Sequence, residues 1–156
     1  MSDEADDIVF RSETHDFKVR VTGVLFNEKN QLALNPDKIS SQHSYVTLPG
    51  GKLKFGESSD QAIIREFIEE MGIKIKAVRL LAVTENLYSY QNKHNSEINF
   101  TWLVKRVGQE NFFAKDNNEQ TVIWRDPHQL EDLLPKKLRS VIIDLPKTPV
   151  HIVNHG

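Results

Sequence analysis

The 156-residue chain carries 20 Lys and Arg against 22 Asp and Glu, a formal charge of −2. That balance gives no general attraction to nucleic acid, whose backbone is held by clustered cations that release counterions. With no cysteine in the sequence, disulfides, thiolate zinc sites and cysteine nucleophiles are excluded, and any metal must sit on oxygen or imidazole.

The length fits one domain over residues 1–156, enough to bury about two thirds of the surface of the unfolded chain. Residues 1–10 read as a flexible acidic N-terminus. The opening MSDEADD lacks the basic and apolar regions of a signal peptide, and no apolar run approaches the roughly 18 residues of a spanning helix. The sequence therefore predicts a soluble cytoplasmic protein with no membrane partner.

In chain order, FKVRVTGVLF at 17–26 alternates and then runs apolar, the pattern of a strand entering a core. NEKNQ reads as a turn and LALN as returning strand, together a hairpin. DKISSQHS at 37–44 reads as a polar loop, and YVTLP as a short strand stopped by Pro49. Ser58 opens a helix over 58–71, with Gln61 three positions on to complete a capping box. Ile63, Ile64, Phe67, Ile68 and Met71 recur at helical spacing as its buried stripe. Gly72 is placed to end the helix in a left-handed turn, with Ile73 folding back on Ile68.

Residues 76–87 and 97–107 read as two longer strands forming an antiparallel hairpin around the polar loop SYQNKHNS. QTVIWR at 120–125 reads as a further strand. DPHQLEDLL then predicts a helix capped by Asp126 with Pro127 at its first position, PKKLRSVIIDL another from Pro135, and the tail an extended or loose segment. Strands and helices mix without regular βαβ alternation, so the fold class is α+β, with a mixed or antiparallel sheet flanked by helices. The sequon-like Asn99-Phe100-Thr101 falls in a predicted strand. The longest basic cluster, Lys136-Lys137 with Arg139, reads as a solvated helix end.

The chemistry concentrates in GKLKFGESSDQAIIREFIEEMGI at 51–73. Glu66 and Glu70 stand one turn apart on a single helix face, with Glu69 beside them. Like charges so spaced repel, and Arg65 can neutralise only part of that repulsion. Carboxylate oxygens are also hard ligands, suited to Mg²⁺ or Mn²⁺ shared with phosphate oxygens. The bland reading is a solvated helix face. Gly50 and Gly51 permit a tight turn in which a carbonyl becomes a further ligand. A phosphate-binding P-loop is rejected, because Val46 and Leu53 occupy positions that need glycine and Ser or Thr.

Five residues separate Gly51 from Glu57 and seven more precede Arg65-Glu66. Phe67, Ile68, Glu69-Glu70, Met71, Gly72 and Ile73 complete a pattern that resembles the full Nudix box over 23 of the 156 residues. The resemblance implies a mixed sheet sandwiched between helices and metal-dependent hydrolysis of a nucleoside diphosphate linked to another moiety, of ADP-ribose, nucleotide-sugar or nucleoside triphosphate type. A non-catalytic nucleotide-binding module of the same fold is the alternative. By position, Glu66 and Glu70 would be the principal Mg²⁺ or Mn²⁺ ligands, Glu69 a further one and the Gly50 carbonyl another. Arg65 would orient the glutamates and Glu57 would lie near the metals. Outside the box, Glu119 is the first candidate general base and Glu97 the second.

Specificity is expected from loops around 37–45, 86–96 and 111–120. Tyr88, Tyr90, Trp102, Phe112 and Trp124 could stack on a base, although core or rim placement is the simpler reading for each. The histidines, His43 and His94 among them, lack metal-ligand spacing and read as surface. The implied partner is a small nucleotide derivative rather than nucleic acid. A homodimer is compatible with the family, and no sequence feature demonstrates one.

Overall fold

The computed structural model describes residues 6–38, 44–111 and 122–156, with backbone alone for 37–38 and 109–111. Nine strands and two helices occur among these: β1 (Val9–Arg11), β2 (His15–Val24), β3 (Leu32–Lys38), β4 (Ser44–Thr47), β5 (Gly50–Lys52), α1 (Ser59–Met71), β6 (Ile73–Tyr90), β7 (Lys93–Asn111), β8 (Ile123–Arg125), α2 (Leu138–Asp144) and β9 (Val150–His155). The main sheet runs β1-β2-β7-β6-β9, with β5 also on β2, and a second sheet runs β4-β3-β8. β2 is parallel to β7 and β9 to β6, while β6 and β7 are antiparallel. The sheet is therefore mixed, and alternate residues of β2 face opposite layers. Val21 and Leu25 pack with Ile63 and Phe67 of α1. Val24 packs with Leu138, Val141 and Ile142 of α2.

One edge of β2 is divided. Val9–Arg11 cover its first half and Gly50–Lys52 its second. The flexible segment expected over 1–10 thus gives way to structure before residue 11: Asp7 bridges Lys54, and Ile8 N–H donates to Leu53 O at 2.8 Å. The glycine pair, expected in a turn, is itself strand. The 17–26 hairpin forms only at its tip, where Phe26 bridges Leu32; β3 then leaves for the second sheet.

Two other expectations are corrected. SYQNKHNS is not a loop, because β6 and β7 pair through to Tyr90 and Lys93 and close on Gln91-Asn92, both at positive φ (51° and 63°). A two-residue loop with both residues left-handed matches the right-handed twist of the flanking strands. DPHQLEDLL is not a helix. Asp126 Oδ1 accepts from His128 N–H at 2.9 Å, and the backbone then pairs with β4: Val46 N–H donates to Asp132 O, and Leu134 N–H to Val46 O, both at 3.0 Å. Tertiary pairing takes the amides a helix would have needed. The later helix is α2, shorter than expected. Its left-handed end at Leu145 is clamped by Arg79, which donates to Leu145 O at 2.7 Å and Pro146 O at 3.0 Å.

α1 matches its expected limits. Ser58 N–H donates to Gln61 Oε1 at 3.1 Å, and Gly72 ends the helix at φ 67°, its N–H reaching Ile68 O at 3.0 Å. The buried stripe is rotated from the expected one. Ala62, Ile63, Glu66 and Phe67 are innermost, while Ile64, Ile68 and Met71 are half-buried. The rotation brings a carboxylate down onto the sheet. Trp102 fixes the start of the helix, donating from Nε1 to Ser59 Oγ at 3.0 Å.

Candidate active site

Two glycines let α1 lie close to the sheet where the acids gather. A Cβ at Gly51 would stand 2.3 Å from Glu66 Cδ, and one at Gly23 would stand 2.6 Å from the Phe67 ring. Real Cβ contacts do not come so near, so Glu66 lies over the β5 backbone only because position 51 has no side chain. Gly50 is required for a different reason: its Cβ would meet Val21 O at 1.9 Å.

Arg65 organises the acids. Its Nε and Nη2 grip Glu57 Oε2 and Oε1 at 2.7 and 2.9 Å, a bidentate fork. Nη1 reaches Glu66 Oε1 at 2.9 Å and Glu69 Oε2 at 3.1 Å, and Nη2 also donates to Lys52 O at 3.1 Å. Glu57 Oε1 accepts in addition from Lys54 N–H at 3.0 Å. The four side chains are 11–21% exposed, so the pairs are screened less than surface pairs. The Arg65 hydrogen bonds hold the Glu57 carboxyl below its ordinary value, outweighing burial. The same contact with Glu57, joined by Glu66, holds Arg65 still more firmly protonated.

Glu57, Glu66 and Glu69 are thus brought together around one guanidinium. Glu70, on the next helical position, lines an adjoining cleft of about 890 Å³ with Phe26, Lys29, Lys105, Arg106 and Trp124. Of the aromatic candidates among the described residues, only Trp124 lines this cleft. Glu97 is on the opposite face of the sheet from α1, in register with Lys18, which separates it from the acids. Glu119, Phe112 and His43 lie outside the described residues. Among the described residues no three His, Asp or Glu groups converge as a ready metal site; the acids are turned onto Arg65 instead. The donor set still fits a hard divalent cation, with several half-buried carboxylates against one arginine, next to backbone oxygens and with no softer ligand among them.

Sequence reasoning missed the backbone partners Lys52 O and Lys54 N–H and the Trp102–Ser59 anchor. The first two follow from β5 being a strand rather than a turn, which the glycine pair concealed.

Comparison with known proteins gives three kinds of likeness. The NUDIX domain profile matches residues 16–145. An 8-oxo-dGTP diphosphatase of Escherichia coli (strain K12) is 31% identical over 86 residues, 54% of this chain and 63% of that protein. An RNA pyrophosphohydrolase of Cronobacter sakazakii (strain ATCC BAA-894) is 46% identical over 50 residues, 32% of this chain and 28% of that protein. These alignments span less than two thirds of either relative. A NUDIX hydrolase from Nitrosomonas europaea superimposes with a TM-score of 0.64 at 19% identity, covering 82% of this chain and 87% of that one, a likeness of fold.

Proposed function

The chain belongs to the Nudix (MutT-like) family, and from that premise we propose that it is a pyrophosphohydrolase cleaving the diphosphate linkage of a nucleoside diphosphate joined to another moiety. The observation that carries this reading is the Arg65 fork, which gathers Glu57, Glu66 and Glu69 over a side-chain-free stretch of β5. A helix face kept merely for solubility has no need of a glycine beneath a carboxylate.

In the proposed mechanism Glu66 and Glu70 are the principal ligands of Mg²⁺ or Mn²⁺, with Glu69 and the Gly50 carbonyl as further donors. The bound ion supplies charge neutralisation for the diphosphate and a lowered pKa for attacking water. Arg65 fixes the carboxylates before substrate arrives, so their repulsion is met in advance. Glu57 holds Arg65 in place through both of its oxygens. The proton of the attacking water is assigned to Glu119, and Glu69 is the box carboxylate next to it in role.

The substrate is read as a small nucleotide derivative, since a net charge of −2 gives no electrostatic basis for holding a long RNA. Among the described residues no helix is long and apolar enough to cross a membrane, and with no cysteine a cytoplasmic setting fits. The test is phosphate release from a panel of nucleoside diphosphate derivatives and triphosphates with Mg²⁺, Mn²⁺ or EDTA, comparing wild type with Glu70→Gln. Metal-dependent turnover of one compound class, lost in the variant with the melting temperature retained, is the expected result. Nucleotide binding without turnover would reassign the protein as a binding module.

A further inference from the structure

The loop from β5 to α1 has little of the core to hold it. Leu53 is buried, but Phe55 is 60% exposed, and Gly56 turns at φ 79° with open space around it. Two contacts that organise the acids nevertheless come from the backbone on either side of Leu53. Lys52 O accepts from Arg65 Nη2, and Lys54 N–H donates to Glu57 Oε1. Something other than packing fixes where Lys54 points.

The N-terminal segment supplies it. β5 pairs with β2 as far as Lys52, and the next residues pair with Asp6–Ile8 instead. Ile8 N–H donates to Leu53 O at 2.8 Å, and Phe55 N–H donates to Asp6 O at 2.9 Å. Asp7 and Lys54 thus face each other across an antiparallel bridge. In a facing pair flanked by such bonds, the two residues turn their own N–H and C=O groups away from each other. Lys54 therefore presents both groups to Glu57: its N–H meets Oε1 at 3.0 Å, and its C=O accepts from Glu57 N–H at 3.2 Å. Ile8 O accepts in turn from Val19 N–H at 3.2 Å, which ties the segment to β2. Asp6–Ile8 lies before residues 16–145, the stretch that the domain profile matches.

We propose that Asp6–Ile8 is a positioning strap for the acidic site, with the Ile8 N–H as its central donor. The strap aims Lys54 at Glu57, and Glu57 holds Arg65 for Glu66 and Glu69. A fork made of two flexible side chains can swing as a unit, and the Lys54 amide, together with Lys52 O, ties this one to fixed backbone points. The inference deepens the functional reading above and rests on it for turnover, whereas the geometry it explains exists without substrate or metal.

The test compares Ile8→Pro with Ile8→Ala in the full chain. Proline deletes the N–H donated to Leu53 and keeps the carbonyl, while alanine keeps both and loses only packing against the α1 core. In EDTA, NMR reads hydrogen exchange at Arg65 Nε, the atom that donates to Glu57 Oε2. With Mg²⁺ and a panel compound that turns over, kcat and KM are measured separately. In Ile8→Pro, exchange should quicken about tenfold and kcat should fall about tenfold with KM within about twofold of wild type, because small displacements of a positioned group cost rates of that order. Ile8→Ala should restore both readings while melting below wild type. If Ile8→Pro does not fold, Phe55→Pro breaks the partner bond at an exposed position and is judged by the same readings. A folded proline variant with wild-type Arg65 exchange or wild-type kcat, or an alanine variant as impaired as the proline one, would overturn the proposal. Quickened exchange in Ile8→Pro, with no compound hydrolysed by wild type, would sustain the strap and refute the reaction.

Discussion

On the α1 side of the main sheet, the Glu57, Glu66 and Glu69 carboxylates meet Arg65 within 3.1 Å, whereas on the other side Asn99 and Thr84 hold buried atoms with no hydrogen-bond partner among the described residues. Both regions are polar, both are largely buried, and both touch β5 and β2. They differ in what completes them. The acidic region is pre-organised by its own arginine, so it can tolerate like charges at helical spacing before any ligand arrives. The other region, a polar band of Thr22, Thr84, Asn99 and Thr101, is organised by register alone, with Asn99 and Thr84 set side by side across β7 and β6. Charge paired in advance and polarity left unpaired thus lie on opposite faces of one sheet.

Breaking the acidic side should cost stability as well as turnover, and the largest effect is expected at its centre. Arg65→Lys keeps the charge and loses the fork to Glu57, because an ammonium cannot make two parallel bonds. A loss of about 1–3 kcal/mol of unfolding free energy in urea is expected, as for charge-assisted hydrogen bonds lost while the charge remains, together with most activity. A variant as stable as wild type would show that the carboxylates do not depend on Arg65. Gly51→Ala is expected next, at about 1–3 kcal/mol, since its methyl must push Glu66 away. Turnover should fall further than stability alone explains, which a Tm measured beside kcat would reveal.

Gly72→Val tests the helix that carries the acids. A β-branched residue at φ 67° should cost about 1–2 kcal/mol, read from the urea midpoint. The smallest effect sharpens the comparison by pH. The Glu57 carboxyl is held below its ordinary 4.5 in the folded protein, so the unfolded chain takes up its proton more readily. Its contribution is therefore present above about pH 4.5 and fades as pH falls through the lowered folded value. In EDTA the Tm gap between wild type and Glu57→Gln should be widest near neutrality and close in acid. A gap that widens in acid would show that Glu57 is not stabilised by Arg65.

How far each region could be read from sequence follows from the same contrast. Most of the acidic site lies within residues 51–73, and α1, its cap at Ser58 and its stop at Gly72 follow from neighbours a few positions apart. What was misplaced there was local in another sense. Gly50 and Gly51 suggested a turn, yet they pair with β2 as strand, and the helix is rolled so that Glu66 takes a place Ile64 or Ile68 was expected to hold. The polar band was invisible because Thr22 and Thr101 meet across 79 positions, through a parallel register that no short pattern encodes. The absent helix at 126–134 has a similar origin: Val46, far back in the chain, takes the hydrogen bonds of Asp132 and Leu134.

The Gln91-Asn92 closure has a kinetic consequence. β6 and β7 form the longest ladder in the protein from residues adjacent in sequence, closing through two residues, whereas β2 and β9 must be brought alongside in parallel from distant parts of the chain. Loop-closure entropy makes the local hairpin the cheaper first structure and the parallel additions the slower ones. The hairpin is thus the template on which both sides of the sheet assemble, the band of Thr84, Asn99 and Thr101 being half-built before β2 arrives. Pulse-labelled hydrogen exchange during refolding should protect β6 and β7 amides before those of β2 and β9, and simultaneous protection of all four strands would refute that order.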